Sequence, residues 1–160
     1  MLNTQQKIKF SEHAVLYDIL IPKDNKYRLI DELIDFSFIY DELKDRYCPD
    51  NGRTAADPIM LFKYLMIKVI ENLSDVDVVE HSRYDLSYKR FLRLMPEEDV
   101  IDPSLLTKFR RQRLKDVNLL DMLIGKTVGV ALEKGIIKTK TIIVDATHTI
   151  SRANALAPID

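Results

Sequence analysis

Cysteine is almost absent: Cys48 stands alone, so no internal disulfide can form and no thiol pair offers metal-ligand spacing, the usage of a reducing cytoplasm. Tryptophan is missing, and 4 glycines with 6 prolines leave few breaks, so each one reads as punctuation. No apolar run is long enough to cross a bilayer, because the longest, IMLFKYLMIKVI at 59–70, is interrupted by Lys63 and Lys68. The opening MLNTQQKIKF has neither an apolar core nor a small-residue cleavage site, so nothing marks export. These absences predict a soluble, cytoplasmic chain with no membrane partner.

What is present suffices for one or two small cores: 160 residues, 46% of them apolar and 31% charged. The net charge of −1 conceals a sorting along the chain. Residues 12–50 hold ten acids against five bases, whereas residues 83–115 hold nine bases against five acids and end in KFRRQRLK, with five bases and no acid. An acid-free basic segment suggests an anionic partner, nucleic acid above all, although a solvated cationic helix face would read the same way.

Most of the chain has the period of helices. Apolar residues from Leu29 to Ile39 predict an amphipathic helix over 25–36 and a short second one to 46. A loop follows around Asn51 and Gly52. Asp57 before Pro58 starts a helix over 58–72, apolar nearly all round and therefore expected at the centre. Ser74 with Asp77 opens a helix to 82, and LSYKRFLRL predicts one over 86–94. Asp102 and Pro103 repeat the starting device for a helix that turns Leu105, Leu106 and Phe109 inward and Lys108, Arg111 and Lys115 outward. A long helix over 116–133 ends at Gly135. Only TIIVDA at 141–146 has strand character. A lone strand leaves its backbone groups unpaired, so it either borrows partners or begins a second domain that continues past residue 160.

Five stretches in order resemble the DDE transposases of bacterial insertion sequences: LIPKDNKYRLIDELIDFSFI, GRTAADPIMLFKYLMI, LSYKRFLRL, DPSLLTKFRRQRL and IIVDATHTISRAN. Thr54 stands where the family usually has proline, and Pro103 where it usually has histidine; both changes touch a turn or a cap. The resemblance implies an N-terminal extension over 1–19, an N-terminal helical transposase domain of six to seven helices over 20–135, and over 139–160 the first strand of a truncated RNase H-like catalytic core. It also implies that Asp145 is the first of three catalytic carboxylates. Chemistry supports that placement: cutting a phosphodiester with two hard cations such as Mg²⁺ calls for carboxylate ligands on rigid strands. One carboxylate does not hold two ions, so this chain is expected to be inactive alone. The expected partner is the DNA of the transposon ends, met by Lys108, Arg110, Arg111, Arg113 and Lys115. A homodimer is also expected, the competing role being self-association through the 58–72 helix and the acidic 25–46 pair. The alternative function is a non-catalytic, DNA-binding or dimerising regulatory fragment, or a degenerate gene remnant.

Overall fold

A computed structural model describes residues 11–47, 55–115 and 117–136, with side chains from 120 onward in the last segment. Every regular element among the described residues is helical, so the chain is mainly α; the expected strand at 141–146 lies outside them. After a 3-10 turn at Glu12–Ala14, the helices are α1 (Val15–Leu20), α2 (Lys26–Leu33), α3 (Phe38–Leu43), a second 3-10 turn (Lys44–Arg46), α4 (Pro58–Glu71), α5 (Asp75–Tyr84), α6 (Leu86–Phe91), α7 (Ser104–Gln112) and α8 (Val117–Glu133).

Helix starts follow from short side chains placed one residue ahead. Asn25, Asp57, Ser74 and Asp85 each accept backbone N–H bonds from the first turns of α2, α4, α5 and α6, a device that stabilises a helix by about 1 kcal/mol. Pro58 occupies the first position of α4 as expected. Asp102 acts one step earlier than predicted: its carboxylate takes the Ser104 N–H at 2.8 Å, and the helix starts after Pro103.

Three of the described helix ends share one geometry. Asn72, Arg93 and Gly135 adopt left-handed φ of 54°, 59° and 71° after α4, α6 and α8. The next residues, Leu73, Leu94 and Ile136, donate their N–H to the carbonyls of Lys68, Lys89 and Ala131, the double-bonded ending that satisfies orphan carbonyls and turns an apolar residue back onto the helix. Glycine alone carries no steric penalty there, so Gly135 was legible as a stop and Arg93 was not.

The core lies around α4, whose residues from Pro58 to Ile67, Met60 excepted, are buried. Tyr27, Phe36 and Phe91 pack edge-on or tilted beside it, Phe36 against Phe62 of α4 itself, with centroids 5.3 to 6.4 Å apart among these rings. Lys63, read in sequence only as an interruption, is fully buried in this core. Its ammonium pairs with Asp31, donates to the Phe91 carbonyl at 2.8 Å, and lies 4.7 and 4.6 Å from the ring centres of Phe36 and Phe91. Burial pushes its pKa down to about 8 against the upward pull of Asp31.

Two expectations change. Six to seven helices become eight among the described residues, because residues 15–20, which span the end of the expected 1–19 extension and the first residue of the expected helical domain, form α1. Its one buried side chain, Tyr17, donates its hydroxyl to the Leu94 carbonyl at 2.6 Å, while Val15, Ile19 and Leu20 are exposed; no amphipathic period announces such a helix. Second, α7 stops at Gln112 rather than carrying Lys115, since the N–H groups of Arg113 and Leu114 both turn back to the Phe109 carbonyl and Leu114 is buried. The 58–72 helix packs against this chain's own α3, α5 and α7.

Candidate nucleic-acid interface

The basic segment divides once it is folded. Leu106 and Phe109 anchor α7 in the core, with Leu105 half-buried beside them, and this orientation leaves Lys108, Arg111 and Gln112 exposed. Lys115 is exposed too, three residues beyond the helix end.

Arg110 points to α5. Its two terminal nitrogens grip both oxygens of Asp75, at 2.9 and 2.5 Å, and Thr107 adds a bond to the same carboxylate at 3.2 Å. Lys68 of α4 completes the cluster at 2.6 Å. Partial burial would raise the Asp75 carboxyl, but the bonds and charges of Arg110 and Lys68 outweigh it and hold it at about 2. A planar guanidinium meeting a carboxylate on both oxygens is a strong, orienting contact. Arg110, one of the residues expected to contact DNA, ties α7 to α5 and, through the shared carboxylate, to Lys68 of α4.

Arg113 makes a different link. Its guanidinium lies 4.2 Å from the ring centre of Tyr47 and donates to the Arg46 carbonyl, while Arg46 reaches back to the Arg113 carbonyl at 3.0 Å. Two like-charged side chains thus cross and brace each other through backbone oxygens. Burial raises the pKa of Tyr47, and the nearby Arg113 opposes that rise. Arg46 belongs to the stretch whose charge is mainly acidic, so charge counting along the chain assigned it no role.

A census of arginines separates structural from free charge among the described residues. Arg28, Arg83, Arg90, Arg93 and Arg110 each have a carboxylate within 4.0 Å. Arg46, Arg111 and Arg113 have none, and all three lie at or against the C-terminal end of α7. The exposed Lys108 and Lys115 likewise have no described carboxylate within 4.0 Å, Lys108 acting on Asp102 only at longer range. An arginine whose charge is not spent inside the protein keeps it for an anion outside, at little desolvation cost.

Asp145, with the Mg²⁺ it was expected to help hold, lies outside the described residues, as does the whole 139–160 segment. Among the described residues, no group of three or more His, Cys, Asp or Glu is placed to hold a metal ion. No described helix is long and apolar enough to cross a membrane.

A family model described as a transposase domain (DUF772) matches residues 15–112, from the first residue of α1 to the last of α7. No curated protein and no solved structure matches the chain.

Proposed function

We propose, from the premise that this chain belongs to the transposase-domain (DUF772) family, that its helical body binds the DNA of a transposon's ends through the C-terminal end of α7. The observation that carries this reading is the arginine census: the described arginines without a carboxylate partner converge on one place, beside Lys108 and Lys115. Lys108 and Arg111 on the exposed face of α7, with Arg113 and Lys115 after it, supply contacts to backbone phosphates, which release condensed counterions and make affinity fall with salt. Arg110 takes part indirectly, by holding α7 against α5.

The family resemblance extends the proposal to the DDE type: Asp145 is the first catalytic carboxylate of an RNase H-like core and a ligand of Mg²⁺ there, the chemistry supplied being activation of a hydroxyl for strand cleavage and transfer. In a protein that also carries the family's downstream aspartate and glutamate, Asp145→Ala abolishes strand cleavage and leaves DNA binding intact.

The binding reading is tested by mobility shift with the full chain and a duplex bearing the element's ends. Lys108→Glu together with Arg111→Glu weakens binding by about tenfold or more and flattens its dependence on salt, each lost phosphate contact lowering the log–log slope by about 0.9. Lys23→Glu, an exposed lysine in the turn between α1 and α2, changes little. Equal loss in the two proteins would move the interface away from α7.

A further inference from the structure

We infer that Arg46 and Arg113 together form a phosphodiester-binding unit, in which the 3-10 turn after α3 supplies half of the DNA contact made at the end of α7. The inference rests on the DNA-binding reading above and adds to it a residue from the acidic part of the chain. Each guanidinium donates one described hydrogen bond to the other's backbone carbonyl, and Arg113 also packs on Tyr47. Neither meets a carboxylate among the described residues. Both side chains are half-buried, so their stems are held while donors remain for an external acceptor.

That arrangement suits a phosphate for three reasons. A guanidinium carries five N–H donors in a fixed fork, and only one bond per arginine goes to the partner's carbonyl. Second, the acceptors that hold the two guanidiniums are carbonyl dipoles rather than acids, so neither charge is neutralised among the described residues. Third, the bracing orders both long side chains before DNA arrives, which lowers the entropy lost on binding. A carboxylate in the same place would neutralise the pair permanently; backbone oxygens fix its position and leave its charge available.

The paired bonds make a specific prediction about coupling. Each acceptor is a backbone carbonyl that survives substitution, but either change removes one of the two bonds that tie the turn after α3 to the end of α7, so the remaining arginine is held less well and each single change loses most of what the pair contributes. Two independent phosphate contacts would instead lose affinity in proportion, one after the other.

The experiment measures affinity of the full chain for a random-sequence duplex of roughly 20 base pairs, since phosphate contacts carry no base information. Arg46→Gln, Arg113→Gln and the double variant are compared by fluorescence anisotropy, with thermal unfolding of each recorded alongside. Each single variant binds about tenfold more weakly, as expected for a lost charge-assisted contact, and the double variant is little worse than either. Additive loss, about a hundredfold in the double variant, overturns the braced unit. Wild-type affinity in Arg46→Gln overturns it as well, and leaves the α7 reading standing if Arg111→Gln still weakens binding. Failure of the unchanged protein to bind the duplex refutes the DNA reading itself and this inference with it. Should Arg46→Gln unfold, Arg46→Lys decides: it keeps the charge but loses the fork, and undiminished binding by that variant overturns the inference.

Discussion

Replacing Arg110 by alanine asks whether a basic residue on α7 is a strut or a DNA contact. The Asp75 carboxyl lies at about 2 rather than its ordinary 3.8, and a difference of just under two pKa units corresponds to roughly 2.5 kcal/mol favouring the ionised form in the folded chain. Arg110 is the foremost of the groups that lower it, with Lys68 next, and the carboxylate side chain is only 17% exposed, so solvent screening is modest. Lys68 and Thr107 remain after the substitution, and the expected loss is therefore about 1–2 kcal/mol at pH 7, read as a lower urea midpoint with unchanged slope. The sign with pH follows from a depressed carboxylate: its stabilisation is present above the unfolded pKa near 4 and disappears as pH falls toward 2. Wild type should thus lose stability faster than Arg110→Ala between pH 4 and pH 2. DNA affinity of Arg110→Ala should stay within about twofold of wild type, because its guanidinium faces Asp75, Lys68 still pairs that carboxylate and distant effects are screened, while Arg111→Ala weakens binding severalfold without destabilising the fold. An Arg110→Ala protein as stable as wild type that binds DNA as poorly as Arg111→Ala would refute the reasoning.

Two further substitutions probe the core and a helix end. Lys63 has its pKa lowered to about 8 from 10.5, so between those values the unfolded chain binds more protons and stability rises with pH, by roughly 3.4 kcal/mol in all if no other group intervened. Burial raises the pKa of Tyr17 and Tyr27, which makes stability fall above pH 10 and confines the rise to pH 8–10. Lys63→Met flattens that rise in urea titrations; equal slopes in both proteins would mean that the lysine is not the titrating group. Arg93 occupies a left-handed φ of 59°, and Arg93→Gly removes its Cβ clash for a net gain of about 0.5 kcal/mol after the added chain entropy. A lower melting temperature for Arg93→Gly would instead rank its contact with Asp31, 3.9 Å away, above the backbone strain.

Local rules settled the helical body before any coordinates. Caps such as Asp57 and Ser74 act on N–H groups two or three residues ahead, and the apolar run of residues 58–70 identifies a buried helix, so the positions of α4 and α5 and the start of α6 were legible in the order of residues alone. Charge was legible as a sum and not as an arrangement. KFRRQRLK reads as five equivalent bases, yet Arg110 finds its acid 35 positions away and Arg113 its brace 67 positions away. Arg46 was hidden among acids, and Lys63 passed for a break in an apolar face although it is one of the most enclosed residues of the core. A side chain's charge is spent or free according to what the tertiary fold brings within hydrogen-bond reach, and that depends on the packing of α7 against α5 and against the turn after α3, which no spacing along the chain encodes. Sequence determined that this protein is a helical body with a basic segment; only the fold decided which of those bases hold the protein together and which remain for a partner.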